Sequence, residues 1–354
     1  MKPSAVKGVQ VLKAYHPPLS GRDSYLRLDF NEWLGEAHPS LGDVLKKFNV
    51  EKLNMYPEAE KAIAAVAQQF NVPNNNVLLA NGTDEAFCNV FRTYLDRGDK
   101  VLIPDPGYPM MEFYATLCEA EIVPWELEAP AFEYDVDKAE VFLKAGGKCI
   151  SVGLPNNPTG SMLSQDIVVD WCRRYPEALI VADEAYIDFC GKSLAEASVD
   201  LENLLVFRTF SKAWSLAGLR LGAVVGSASM IKELRKMWSP YSVNILGLSI
   251  LSEMLPDQKW IASIRQTIEE QQLRLKKELE QRGLKACFMG GNFFMMDIGK
   301  TLPAFIAAFE EEGVRLRDQS SKNGLSGWVR VSIGPEEITQ KFLDVLDIVL
   351  QKLL

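Results

Sequence analysis

Short apolar runs alternate with amphipathic stretches along the first two-thirds of the chain. The runs at 77–80, 101–103, 149–152, 178–182, 204–207 and 221–225 are continuous and only three to five residues long. Runs of that length read as buried strands rather than helices. Between them, 58–70, 83–95 and 164–175 carry apolar residues at helical spacing, and Ser164 stands where it would cap the last of these. Short buried strands separated by helices predict an α/β fold: a mostly parallel sheet with helices on both faces.

The pattern changes after residue 240. Residues 242–255 and 257–282 read as helices, with Gly283 as the stop of the second. Strands at 286–288, 293–298 and 328–333, a helix at 302–312 and a final helix from Glu336 suggest a smaller α+β unit. At the other end, Pro3, Pro17, Pro18 and Gly21 punctuate the first thirty residues, which read as an arm. The expected division is an arm over 1–30, a large domain over 31–240 and a small domain over 241–354. A chain of 354 residues has room for about two domains of roughly 150 residues each.

Composition narrows the chemistry. A net charge of −9 lacks the basic balance of a nucleic-acid binder. The two histidines, His16 and His38, speak against a multi-histidine metal site and a histidine-based triad. Acid–base work falls to Lys, Asp, Glu or Tyr. The six cysteines are scattered without a C-x-x-C pair and read as buried reduced thiols. No apolar run approaches the roughly 18 residues of a membrane span, and the N-terminus lacks a signal-peptide core. The expectation is a cytoplasmic enzyme.

In open α/β sheets ligands bind beyond the carboxyl ends of the strands, so the residues that follow each run carry the interest. Asn81-Gly82-Thr83-Asp84 follows the first run and opens a helix. Free N–H groups at such a start suit a phosphate, although helix capping alone explains the same residues. Gly153 to Gly160 follows the third run, with Asn156 and Asn157 between prolines; turn chemistry accounts for every residue there as well. Asp183 ends the next strand, with Tyr186 three residues on. A carboxylate in that setting needs a cation: an arginine, a metal or a protonated ring nitrogen. Finally, Thr209, Ser211 and Lys212 follow the strand at 204–207, with Arg220 beyond them. A strand-end lysine can react with an aldehyde when its amine is unprotonated, and Thr209, Ser211 and Arg220 can hold a phosphate dianion.

The order of these elements matches a ligand with a phosphate, a basic ring nitrogen and an aldehyde, which is pyridoxal phosphate. The chain resembles the fold-type I aminotransferases over essentially its whole length, and within them the histidinol-phosphate branch. The resemblance implies that Lys212 holds the cofactor covalently and shuttles the substrate's proton, and that Asp183 partners the ring nitrogen. Asn157 and Tyr186 become donors to the ring oxygen, and Tyr108, in Pro106-Gly107-Tyr108, the stacking aromatic. Gly82, Thr83, Asp84, Thr209, Ser211 and Arg220 match the phosphate cup. Tyr56, in Asn54-Met55-Tyr56-Pro57, is similar to a tyrosine that reaches the neighbouring subunit's phosphate, which implies a homodimer with shared sites.

For the substrate, the resemblance points to Arg330 as an anion-binding arginine, Arg317 as a second phosphate clamp, Asn292 as a pocket residue and Tyr15 as a closing aromatic. The implied partners are small molecules, histidinol phosphate with glutamate or 2-oxoglutarate, and neither nucleic acid nor membrane. Relatives often read Asn-Glu-Asn after the arm where this chain has Asn31-Glu32-Trp33, and an indole there bears on which side chain is accepted. Aromatic amino-acid transamination and decarboxylation of a phosphorylated amino acid fit the same scaffold. A cofactor-binding transcriptional regulator would carry an additional DNA-binding domain, which the first thirty residues do not accommodate.

Overall fold

A computed structural model describes residues 3–13 and 21–353. Thirteen strands are present among them: β1 (Leu26–Arg27), β2 (Val77–Ala80), β3 (Lys100–Asp105), β4 (Glu121–Glu126), β5 (Cys149–Gly153), β6 (Leu179–Asp183), β7 (Leu204–Thr209), β8 (Gly222–Val225), β9 (Lys285–Cys287), β10 (Phe293–Asp297), β11 (Val314–Arg315), β12 (Arg317–Asp318) and β13 (Trp328–Ser332). Seven form the main sheet in the order β2-β8-β7-β6-β5-β3-β4. Strands β3 to β7 pair in parallel, and only β8 runs antiparallel to its neighbours β2 and β7.

Each central strand is buried on both sides, and its residues alternate between two apolar layers. Ile180 and Ala182 of β6 join one layer while Leu179 and Val181 join the other. In β7, Leu204 and Val206 face the first layer, and Leu205 and Phe207 the second. Helices close both layers. The Gly82–Tyr94 helix supplies Ala86, Phe87, Val90 and Phe91 to one side. The Gln165–Arg174 helix supplies Val168, Trp171 and Cys172 to the other. Burial on both faces is what produces continuous apolar runs in the sequence.

The second sheet is antiparallel, in the order β12-β13-β10-β9. It is covered by the Gln258–Gln281, Leu302–Glu311 and Glu336–Leu353 helices. Asp257 caps the long helix by accepting from Lys259 and Trp260 N–H groups, and Gly283, at φ 70, terminates it as expected. A two-residue parallel pairing joins β1 to β11, aligning Leu26 with Val314.

Three sequence expectations need correction. Strand β4 was not foreseen: Glu121, Glu126 and Pro124 break its apolar pattern. It lies at the sheet edge, where charge and proline are tolerated. Ser164 precedes its helix without a side-chain capping bond; its backbone carbonyl accepts from Ile167 and Val168 instead. The cysteines are all free, but only Cys149 and Cys172 are buried, and Cys190 is exposed.

Trp125 of β4 is fully buried and packs against Tyr134 and Trp171, with its indole N–H donating to the Asp135 carbonyl at 2.9 Å. Trp125→Ala leaves a large cavity under the edge strand. It is expected to cost about 3–5 kcal/mol, read as a lowered midpoint in denaturant unfolding.

Candidate active site

The carboxyl ends of β5, β6 and β7 lie side by side, because Asp183 is in register with Gly153 on one flank and Phe207 on the other. Asp183 is 6% exposed. Its Oδ1 accepts from Ala185 N–H at 3.1 Å. Burial pushes its carboxyl up to about 7, with Asp84 and Glu184 adding to the rise and Lys212 opposing it. A cation placed against this carboxyl would return it to the ionised form.

Lys212 follows β7, and its Nζ donates to the Phe30 carbonyl at 2.7 Å and lies 5.5 Å from the centre of the Tyr186 ring. Tyr186 is buried, edge-on to Phe293. Its Oη accepts from Asn31 Nδ2 at 3.0 Å. Asn157 Oδ1 accepts from Arg330 Nη1, so the two residues expected at the ring oxygen are each held from behind by another side chain.

The expected phosphate cup assembles around Gly82, at the N-terminus of its 13-residue helix. Gly82 has φ 76, and a Cβ there would lie 2.6 Å from Arg220 Nη2. A Cβ on Gly222 would meet Gly82's carbonyl carbon at 3.0 Å. The two glycines thus keep a space that any larger residue would close. Arg220 Nη2 lies 3.3 Å from Asp84 Oδ2, and Tyr108 Oη donates to Asp84 Oδ1 at 2.8 Å. Asp84 therefore orients both the arginine and the aromatic ring. Thr209 and Ser211 are buried on the far side, with Ser211 N–H donating to Thr209 Oγ1 at 3.1 Å; Thr83 follows Gly82 in the first helical turn. Free helix N–H groups, a glycine space, hydroxyls and an arginine suit a phosphate, and a cation-seeking carboxyl suits a ring nitrogen. These residues fit pyridoxal phosphate.

Arg317 and Arg330 are directly opposed on β12 and β13 and so project from one face of the sheet. Arg330 Nη2 donates to the Asp29 carbonyl at 2.6 Å, and the Arg317 guanidinium lies 5.8 Å from the Phe30 ring centre. Lys322 joins them, with its ammonium on the Gly107 carbonyl. Burial, then Arg330 and Arg317, push that ammonium down to about 8, against the pull of Asp105 and Glu112. A cavity of about 650 Å³ lies beside these groups, lined by Tyr108, Glu112, Arg317 and Lys322 among others. An anion entering there would meet positive charge from both strands.

Other expected residues lie differently. Tyr56 is 77% exposed and stacks on Tyr241 at 4.3 Å. Asn292 is fully buried, and its amide donates to the Asn31 carbonyl at 3.2 Å. Tyr15 lies outside the described residues. Trp33 turns its indole N–H onto the Glu36 carbonyl at 3.0 Å. The sequence reading missed Lys322, the amide of Asn31, and the Asp29 and Phe30 carbonyls. It also missed the clamp behind them: buried Arg22 binds both oxygens of Asp29, at 2.5 and 2.9 Å, and covers the Phe30 ring at 3.9 Å. The close spacing of Arg22, Asp29 and Glu32 was a visible signal, but nothing local tied it to Lys212.

Residues 27–346 match the model of the aminotransferase class I and II family. The chain is 30% identical to a histidinol-phosphate aminotransferase of Caldanaerobacter subterraneus subsp. tengcongensis over 88% of each chain. It is also 30% identical to one of Syntrophus aciditrophicus over 96% of each. A crystal structure of histidinol-phosphate aminotransferase from Sinorhizobium meliloti, in complex with pyridoxal-5'-phosphate, superposes with a TM-score of 0.89 at 20% identity, covering 100% of this chain and 99% of that one. The architecture is accordingly the fold-type I arrangement, and the chain belongs to the class I and II aminotransferases.

Proposed function

We propose that this aminotransferase uses pyridoxal phosphate to move an amino group between L-histidinol phosphate and 2-oxoglutarate, a step of histidine biosynthesis. The observation that carries the substrate reading is the Arg317–Arg330 pair, which meets the same Asp29–Phe30 segment that receives Lys212. The name shared by the relatives, at 30% identity over nearly the whole chain, supports it. When bound, the cofactor supplies an aldehyde that takes up the amino group and a ring that accepts negative charge. In this reading Lys212 holds the cofactor and moves the proton at the substrate's amine-bearing carbon. Asp183 keeps the ring nitrogen protonated. Asn157 and Tyr186 donate to the ring oxygen, and Tyr108 stacks on the ring. Gly82, Thr83, Asp84, Thr209, Ser211 and Arg220 form the phosphate cup. Arg317 and Arg330 bind the substrate's anion, with Asn292 and Tyr15 at the same pocket.

We further propose the division into an arm over 1–30, a large domain over 31–240 and a small domain over 241–354, and a cytoplasmic location. Among the described residues no helix is long and apolar enough to cross a membrane. The exposure of Tyr56 supports its service to a partner subunit in a homodimer. The decisive experiment is single-turnover bleaching of the cofactor's absorbance by histidinol phosphate beside phenylalanine, tyrosine and glutamate. A response to phenylalanine or tyrosine without one to histidinol phosphate would favour an aromatic aminotransferase, and carbon dioxide release would mark a decarboxylase.

Three outcomes follow. First, the Asp183 carboxyl is raised from the ordinary value to about 7. The stability tied to its protonated form is complete below about pH 4 and is lost as pH rises through about 7. In the cofactor-free protein, Asp183→Asn should therefore be progressively more stable than the parent from pH 4 to pH 8 in denaturant unfolding. The loaded variant should lose turnover by about tenfold per pKa unit of proton affinity lost at the ring nitrogen.

Second, Lys212→Ala and Tyr56→Ala chains are each expected to be impaired. Mixing them under conditions of chain exchange should restore activity, because one site of the heterodimer then keeps both native residues. No gain after demonstrated exchange would contradict a shared site.

Third, Arg317→Ala should weaken histidinol phosphate by about 10- to 150-fold, the size of one charge-assisted contact of roughly 1.5–3 kcal/mol. Glutamate, whose carboxylate is served by Arg330, should lose much less. Arg330→Ala should impair both half-reactions, each followed by cofactor absorbance.

A further inference from the structure

A closed set of hydrogen bonds stands behind the Tyr186 phenol. Asn31 is fully buried and sits at φ 53, a left-handed conformation that asparagine tolerates better than most residues. Its N–H donates to Ser332 Oγ at 2.9 Å, and that hydroxyl donates back to Asn31 Oδ1 at 3.3 Å. The hydroxyl's single hydrogen is directed at Oδ1, the accepting end of the amide. The other end, Nδ2, donates to Tyr186 Oη at 3.0 Å. The phenol's own hydrogen is thereby turned away from Asn31. Asn157 is held in a parallel way, since Arg330 occupies its Oδ1 and leaves its Nδ2 to donate elsewhere.

We propose that Asn31 is a positioning residue whose amide commits Tyr186 to act as a hydrogen-bond donor to the cofactor's ring oxygen. The inference rests on the cofactor reading given under the proposed function. A donor favours the anionic form of the oxygen it meets, and a phenol that is itself accepting a hydrogen bond donates more strongly. Asn31 thus acts on the proton shared between Lys212 and the cofactor without touching either reacting atom. The left-handed backbone serves the same end: it brings Asn31's N–H and side chain together onto Ser332, leaving Nδ2 to meet the phenol.

The titratable and charged groups around the pair come from several elements: Asp183 at the end of β6 with Glu184 next to it, Lys212 after β7, Asp84 and Tyr108, Arg330 on β13, and Arg22, Asp29 and Glu32 on the segment that carries Asn31. All of them are retained in the variants used as a test, and only Asn31→Asp adds a charge.

The experiment is a pH titration of the cofactor's absorbance in the substrate-free holoenzyme. Asn31→Asp replaces Nδ2 with an oxygen that accepts, so Tyr186 donates to residue 31 instead of to the cofactor. The midpoint is expected to rise by about one to two pH units, the size of one lost charge-assisted hydrogen bond. Tyr186→Phe alone should raise it similarly, and added to Asn31→Asp should raise it little further. Asn31→Gly keeps the left-handed backbone, introduces no charge and should give a smaller rise in the same direction. Unmoved midpoints in both Asn31 variants would overturn the proposal. So would a Tyr186→Phe shift that adds in full to that of Asn31→Asp, because a new charge alone would then explain the first rise. A parent protein with no cofactor absorbance at any pH would overturn the cofactor reading, and this inference with it. A normal band whose midpoint ignores Asn31 overturns the inference alone.

Discussion

Asp183 is enclosed at the end of β6, and burial, the largest of several influences, lifts its carboxyl to about 7. Around neutral pH the bare chain divides between a protonated and an ionised carboxyl at its centre, and neither state uses the position well. A fixed positive partner resolves this, and the residues around Asp183 are arranged to admit one. Lys212 is held back on the Phe30 carbonyl. Asn157 and Tyr186 are fixed from behind. Gly82 and Gly222 keep the adjacent turn open. The main sheet makes this possible, because a strand buried on both faces brings its terminal carboxylate to a point where little else solvates it.

The second sheet supplies the opposite sign. Arg317 and Arg330 face each other across β12 and β13, with Lys322 near both. Arg330 also spans the two functions, since it contacts both Asn157 and the Asp29 carbonyl. In the proposed function, an anion that draws on Arg330 would act on the residue that holds Asn157, so that one guanidinium would serve both the substrate and the cofactor.

Much of the large sheet was legible because its strands are short apolar runs ending in chemically distinctive residues. Asp183, Lys212 and the Gly82 turn could be read at those ends without any structure. Strand β4 was hidden because an edge strand tolerates the charges and proline that the pattern search rejects. The Asn31 amide, the Phe30 carbonyl and the Arg22–Asp29 clamp were hidden for another reason. Their partners lie on elements far away in the chain, and backbone carbonyls carry no sequence signature. Lys322 looked like any loop lysine until the fold brought it to Gly107 beneath the two arginines. Asn292 shows the converse: expected at the pocket, it directs its amide at the backbone of Asn31.

The segment bearing Asp29, Phe30 and Asn31 is made early, yet several of its contacts are made with the last part of the chain. Leu26 pairs with Val314, and Asn31 bonds to Ser332 across 301 positions. On a ribosome adding about 5–20 residues per second, the early segment waits on the order of 15 to 60 s for that partner to be synthesised. Through that interval the main sheet can form around Asp183, while the carbonyl that receives Lys212 still has nowhere to dock. The active centre is therefore a property of the finished polypeptide, closed by the same late strands that carry the arginines.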